Sequence, residues 1–207
     1  MSGEPVPDDA RPPSARAAAP VLLAVDGRSG AGKTTLANRL AGELRRDGRD
    51  VGLFHLEELY EGWNGLEAGL RAYLRDVLGP LARGEAASWT PWDWTSEAPA
   101  ERARTTQAHA VVLLEGVGAG IPAARRLLTA TLTLRSPAPG RRARALARDG
   151  ETFRPHWDTW AAQEETLPPA EDGPLDASWD VEDPAEETLP ERAVRWARKA
   201  LDASSGA

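Results

Sequence analysis

Residues 21 to 36 read Val-Leu-Leu-Ala-Val-Asp-Gly-Arg-Ser-Gly-Ala-Gly-Lys-Thr-Thr-Leu, an apolar run that passes straight into a glycine-rich turn. Gly27, Gly32, Lys33 and Thr34 fill the template G-x-x-x-x-G-K-[ST]; Val21 to Val25 supply the strand before it, and Leu36, Leu40 and Leu44 the helix after it. That context separates a phosphate-binding Walker A loop from a chance match, and it commits the chain to a strand–turn–helix unit.

The spacing follows from the chemistry. Gly27, Gly30 and Gly32 permit left-handed or crowded backbone, so that successive N–H groups can turn toward phosphate oxygens. The helix opening near Lys33 adds its positive end. Lys33 is expected at the β- and γ-phosphates and the Thr34 hydroxyl on Mg²⁺. The expected phosphate-binding stretch is Gly27, Arg28, Ser29, Gly30, Ala31, Gly32 and Lys33, continued by Thr34 and Thr35.

Further strands and helices alternate along the chain. The pattern predicts strands over Val51 to Leu56, Val111 to Leu114, Thr131 to Leu134 and Ser178 to Val181. Helices are expected at 33–46, at 66–78 ending on Gly79-Pro80, at 141–149 ending on Gly150, at 157–165 and at 191–201. Residues 84–100 read as irregular, 167–174 as a loop, and the proline-rich segment 1–19 as a disordered tail. Alternation of this kind implies a three-layer α/β/α architecture, a parallel sheet of about five strands with ligands at the strand carboxyl ends.

Composition narrows the function. A net charge of −7 argues against nucleic acid as the main partner. No cysteine is present, which excludes disulfides and thiolate metal sites. The longest apolar runs are far short of a membrane span and the first residues lack a signal-peptide core, so the expected location is the cytoplasm. Only Lys33 and Lys199 are lysines, which disfavours proteins that read guanine through an Asn-Lys-x-Asp loop. Oligomeric state and the choice between ATP and GTP are left open.

Glu57 and Glu115 follow predicted strands and so share the crevice of the loop. Phosphoryl transfer calls for one carboxylate near the acceptor hydroxyl and another at Mg²⁺, and these two are the candidates. Eight Trp against two Phe is unusual. Trp157, Trp160 and Trp196 read as packing residues, whereas Trp63, Trp92 and Trp94 lie in loop context beside Asn64 and Asp93 and suit a planar or sugar-bearing acceptor. Arg141, Arg144 and Arg148 fall on one helix face after the fourth strand, the place for a mobile arginine lid over about 137–165. His55, His109 and His156 show no ligand spacing and read as structural.

Together these residues resemble the uridine kinase-like branch of the P-loop kinases, from about Val21 to Val181. Glu57-Glu58-Leu59-Tyr60 is similar to that family's Asp-x-Phe-Tyr segment, Trp92-Asp93-Trp94 to its nucleoside-contacting Tyr-Asp-aromatic segment, Leu114-Glu115-Gly116 to its strand-end Glu-Gly, and Arg144 with Arg148-Asp149 to its lid arginines. The resemblance implies a P-loop NTPase kinase domain over 20–203, ATP and Mg²⁺ as cofactors, Glu57 as base, and Tyr60, Trp63, Trp92, Asp93 and Trp94 at the acceptor. Glutamate at position 57 in place of aspartate, the Gly-Trp-Asn-Gly turn and the tryptophan cluster depart from true uridine kinases and look more like small kinase-like proteins of high-GC bacteria.

The expected function is therefore ATP-dependent transfer of the γ-phosphoryl group to a hydroxyl of a small molecule, with Lys33, Glu57, Glu115, Arg144 and Arg148 as the catalytic set. A nucleoside monophosphate kinase is the nearer rival and calls for arginines facing the acceptor, for which Arg71, Arg75, Arg102 and Arg104 are available. A nucleotide-responsive binding protein with little transfer is the rival from another class.

Overall fold

The computed structural model describes residues 19–168 and 173–206. Nearly all of the expected tail and residues 169–172 of the expected loop lie outside them. Five strands, β1 (Val21–Asp26), β2 (Val51–His55), β3 (Val111–Glu115), β4 (Ala130–Arg135) and β5 (Ala177–Asp180), form one parallel sheet in the order β2-β3-β1-β4-β5. β1 sits at the centre, so the loop that leaves it emerges mid-sheet.

Period-two alternation sends neighbouring residues of the central strands into two separate cores. Leu22 and Ala24 of β1, with Val112 and Leu114 of β3, face helix α2 (Leu66–Ala72) and the turns that continue it, together with Trp157 and Trp160 of α4 (Trp157–Thr166). Leu23, Val25, Leu113 and Leu132 face the other way, onto Leu36, Leu40 and Leu44 of α1 (Lys33–Arg46) and Val194, Ala197 and Leu201 of α5 (Thr188–Ser205). All these side chains are buried. Each leucine so enclosed contributes about 1.5–3 kcal/mol relative to exposure. Among the described residues, no helix is long and apolar enough to cross a membrane.

Three local expectations are corrected. Gly79-Pro80 does not end the second helix: Tyr73–Leu78 widens into a π-helical turn, the Gly79 N–H donates to the Leu74 carbonyl five residues back, and Gly79–Ala82 stays helical. The wider turn lets the chain pass a residue that has no N–H to donate. Residues 84–100 are not wholly irregular. Ala87–Trp89 pairs antiparallel with Arg104–Thr106, and Trp92–Asp93 with Ala98–Pro99. Strands of two or three residues are too short for alternation to reveal. Finally, the Arg-rich helix α3 (Ala138–Phe153) opens at Ala138, ahead of Arg141; Gly150 (φ 56°, ψ −133°) breaks its helical backbone where the end was expected, and a short helical piece follows to Phe153.

Candidate functional site

The carboxyl ends of β1, β2 and β3 open on one cleft of about 730 Å³. Ser29, Gly30, Lys33 and Thr34 of the loop border it, with Glu57, Tyr60 and Glu115 from the neighbouring strand ends. Its far wall is Trp63, Trp94 to Glu97, Arg148, Asp149 and Phe153.

The loop has the conformation its glycines were expected to allow. Gly30 has φ 77°, and a Cβ there would meet the Arg141 carbonyl oxygen at 2.1 Å; Gly32 has φ 94° and leads into α1. Lys33 is buried, and its Nζ donates to the Arg28 carbonyl oxygen at 3.2 Å. Gly27 donates its N–H to Asp26 Oδ1 (2.6 Å). Ala31 is buried in the core beneath the loop, Thr35 is exposed in the first turn of α1, and Arg28 reaches outward to Glu165 at 3.8 Å.

Glu115, 2% exposed, ends β3 beside the loop. Its Oε1 accepts the Thr34 hydroxyl at 3.0 Å and meets His55 Nδ1 at 2.6 Å, while Oε2 is buried with no hydrogen-bond partner among the described residues. A buried carboxylate oxygen without a donor is costly unless a ligand completes it. One carboxylate oxygen and one hydroxyl at the foot of a phosphate loop are the protein ligands Mg²⁺ takes beside phosphates and water, so Thr34 and Glu115 fit that ion. The hydrogen bond to Glu115 raises the His55 pKa. His55 thus touches the site through Glu115 without bordering the cleft, a contact its sequence spacing did not reveal.

Glu57 lies just past β2 and opens onto the cleft. Loss of solvent around it, then the nearby Glu115 charge, push its pKa up. Trp94 Nε1 donates to the Glu57 carbonyl at 3.2 Å and ties the far wall to this residue. Tyr60 is buried, with its hydroxyl donating to the Val117 carbonyl (2.7 Å). Asp26, absent from the expected site, accepts the N–H groups of Gly27, Gly118 (2.8 Å) and Gly120 (2.9 Å), and so joins the phosphate loop to the segment after Glu115. Burial raises its pKa against those three bonds.

The three arginines expected on a mobile lid separate. Arg141 is 5% exposed and donates to the Ser29 carbonyl, and Arg144 donates to the Gly30 carbonyl at 2.8 Å and to Ser136 Oγ at 2.6 Å. Of the three, only Arg148 faces the cleft, opposite Glu57, with Asp149 accepting from it at 2.7 and 2.6 Å. That pairing raises its pKa.

Of the acceptor candidates, Tyr60, Trp63 and Trp94 line the cleft; Trp92 and Asp93 do not. Asp93 is turned to its own hairpin, accepting the Thr95 N–H (2.9 Å) and the Ser96 hydroxyl (2.8 Å). Trp63 stacks on Phe153 and His156, with ring centroids 4.9 and 4.8 Å away, and meets Trp94 at 4.7 Å. Thr95, Ser96, Glu97, Thr152 and Phe153 are cleft residues that sequence reasoning missed. None of Arg71, Arg75, Arg102 and Arg104 borders the cleft; Arg71 pairs with Glu67, Arg75 with Asp76 and Arg104 with Glu58.

Structural comparison agrees with this architecture. A gluconokinase from Sinorhizobium meliloti 1021 superposes with a TM-score of 0.57 at 17% identity, covering 91% of this chain and 98% of that one. A possible uridine kinase from Bacillus stearothermophilus gives 0.52 at 19% identity, over 77% and 90%. The fold is that of the P-loop kinases. No family model and no curated protein matches the sequence. Within the P-loop kinase fold, Lys33, Thr34 and Glu115 stand at the centre of the sheet's carboxyl edge, and the aromatic wall is supplied by segments outside the sheet.

Proposed function

We propose that the protein is a cytoplasmic kinase that transfers the γ-phosphoryl group of ATP, with Mg²⁺, to a hydroxyl of a small molecule, a nucleoside being one candidate. The observation that carries this reading is the convergence of Lys33, Glu57, Glu115 and Arg148 on one cleft.

The roles follow from position. Loop amides and Lys33 bind the phosphates, and Thr34 with Glu115 would hold Mg²⁺, which when bound offsets charge on the β- and γ-phosphates. Glu57 accepts the proton of the acceptor hydroxyl as that oxygen bonds to the γ-phosphorus. The bond to the bridging oxygen breaks, and its electron pair leaves with ADP. Arg148 faces the charge spread over the transferring group. Trp63 and Trp94 offer flat faces to a ring-bearing acceptor.

A phosphorylated acceptor is less well served. The acceptor half of the cleft carries Glu57, Glu97 and Asp149, and its Arg148 is already paired. Lys33→Ala should abolish ATP turnover while circular dichroism shows the fold intact; undiminished turnover would sink the assignment. ATP binding without ADP release across nucleosides and sugars would instead support a nucleotide-responsive binding protein.

A further inference from the structure

Helices α3 and α4 both grip the phosphate loop at Ser29. Glu164 Oε1 accepts the Ser29 N–H at 2.7 Å, and Arg141 Nη1 donates to the Ser29 carbonyl oxygen at 3.0 Å. The two side chains also face each other, Arg141 Nη1 to Glu164 Oε2 at 3.5 Å, and both are buried, at 6% and 1% side-chain exposure. Trp160 Nε1 adds hydrogen bonds to Glu164 Oε1 (3.0 Å) and Ser29 Oγ (2.9 Å). A charged pair taken out of water costs more than it returns unless its hydrogen bonds are well placed; here each side chain holds one backbone group of Ser29, and Ser136 and Trp160 complete the pair, the Ser136 carbonyl accepting from Arg141 Nε at 3.1 Å.

The geometry has a consequence for the ligand side. In a planar trans peptide the C=O and the following N–H point in opposite directions. Arg141 holds the Ser29 carbonyl toward α3, so the Gly30 N–H is turned the other way, and Gly30 borders the cleft. Glu164 holds the preceding peptide plane through the Ser29 N–H. Glycine at position 30, with φ 77°, has little conformational preference of its own to keep that amide in place.

We infer that Glu164 and Arg141 are positioning residues for nucleotide binding: they clamp both peptide groups of Ser29 and aim the Gly30 amide at the phosphate. This rests on the kinase reading for the identity of the nucleotide. It also recasts α3 and α4 as a brace on the phosphate loop, since the arginines nearest the loop are committed to its carbonyls. Trp160 shares the clamp and also borders the cleft.

The test is calorimetric titration of Mg²⁺-ATP into the full chain and into Glu164→Gln and Arg141→Lys, with thermal melts to establish the folded fraction and steady-state KM for the acceptor. Glu164→Gln keeps an acceptor for the Ser29 N–H but removes the charge; Arg141→Lys keeps the charge but loses the planar fork. Loss of one charge-assisted bond should weaken ATP about tenfold or more in each folded variant. The acceptor KM should change less than about threefold, because a positioning role at the loop acts on the phosphates first. The Gly30 amide resonance should lose the shift that ATP induces in the unsubstituted protein. Unchanged ATP affinity in a folded variant, or equal losses of ATP and acceptor affinity, overturns the inference. Should Glu164→Gln not fold, Arg141→Lys decides by the same criteria. ATP binding without transfer in the unsubstituted chain would end the kinase reading and leave the clamp standing.

Discussion

Glu57 and Glu115 are the same chemical group one strand apart, and their surroundings differ. Glu115 is held by Thr34 and His55 and keeps one oxygen without a donor among the described residues, which suits the metal side proposed for it. Glu57 opens onto the acceptor half, with a pKa raised by lost solvation and by Glu115. A base acts only when ionised, so transfer should fall as pH drops through that raised pKa, at a higher pH than an unperturbed glutamate would set. A kcat profile over pH checks this, and Glu57→Gln should erase the limb and lower kcat by about 10²- to 10⁴-fold. A limb that survives the substitution assigns it elsewhere. The positions of Lys33, Thr34 and Glu115 in one cleft were legible because each stands at a set distance from a recognisable strand end. His55 and Asp26 were not. Their partners lie 60 and 92 residues away in sequence, and only strand pairing brings them together.

At the scale of elements, the hairpin that carries Trp94 to Glu97 shows what patterning misses. Its paired segments are two residues each, so nothing periodic announces them. Its shape comes from Asp93, whose carboxylate accepts from Thr95 and Ser96 and does not line the cleft. Glu97 closes the turn at φ 49°, a left-handed position that side chains other than glycine and asparagine adopt at a cost. Replacing it with glycine should relieve about 1 kcal/mol, a rise in Tm of roughly 2–4 °C for a chain of this size. A fall in Tm would show that the Glu97 side chain holds the hairpin by contacts that outweigh the strain. The phosphate loop behaves in the opposite sense. Gly30→Ala would drive a methyl group into the Arg141 carbonyl, 2.1 Å from the built Cβ, and should cost ATP affinity in a calorimetric titration.

Across the whole molecule, the double-sided sheet was legible because the central strands are apolar without interruption, which only a sheet covered on both faces requires. Removing part of either core should be felt globally. Leu40→Ala, at a fully buried position of α1, is expected to cost about 2–5 kcal/mol in denaturant unfolding. A loss below 1 kcal/mol would mean that the α1 layer repacks freely. The acceptor wall was less legible, because Trp63, the Trp94 hairpin and the α3–α4 pair are far apart in sequence and meet only when the sheet is assembled. The central claim is that this sheet edge performs phosphoryl transfer. Its most direct test is coupled ADP release from Mg²⁺-ATP by the purified chain across nucleosides, sugars and nucleoside monophosphates. The account predicts ADP release that depends on an unphosphorylated hydroxyl acceptor, disappears in Lys33→Ala and drops steeply in Glu57→Gln; ADP release that no acceptor stimulates, or that survives Lys33→Ala, would contradict it.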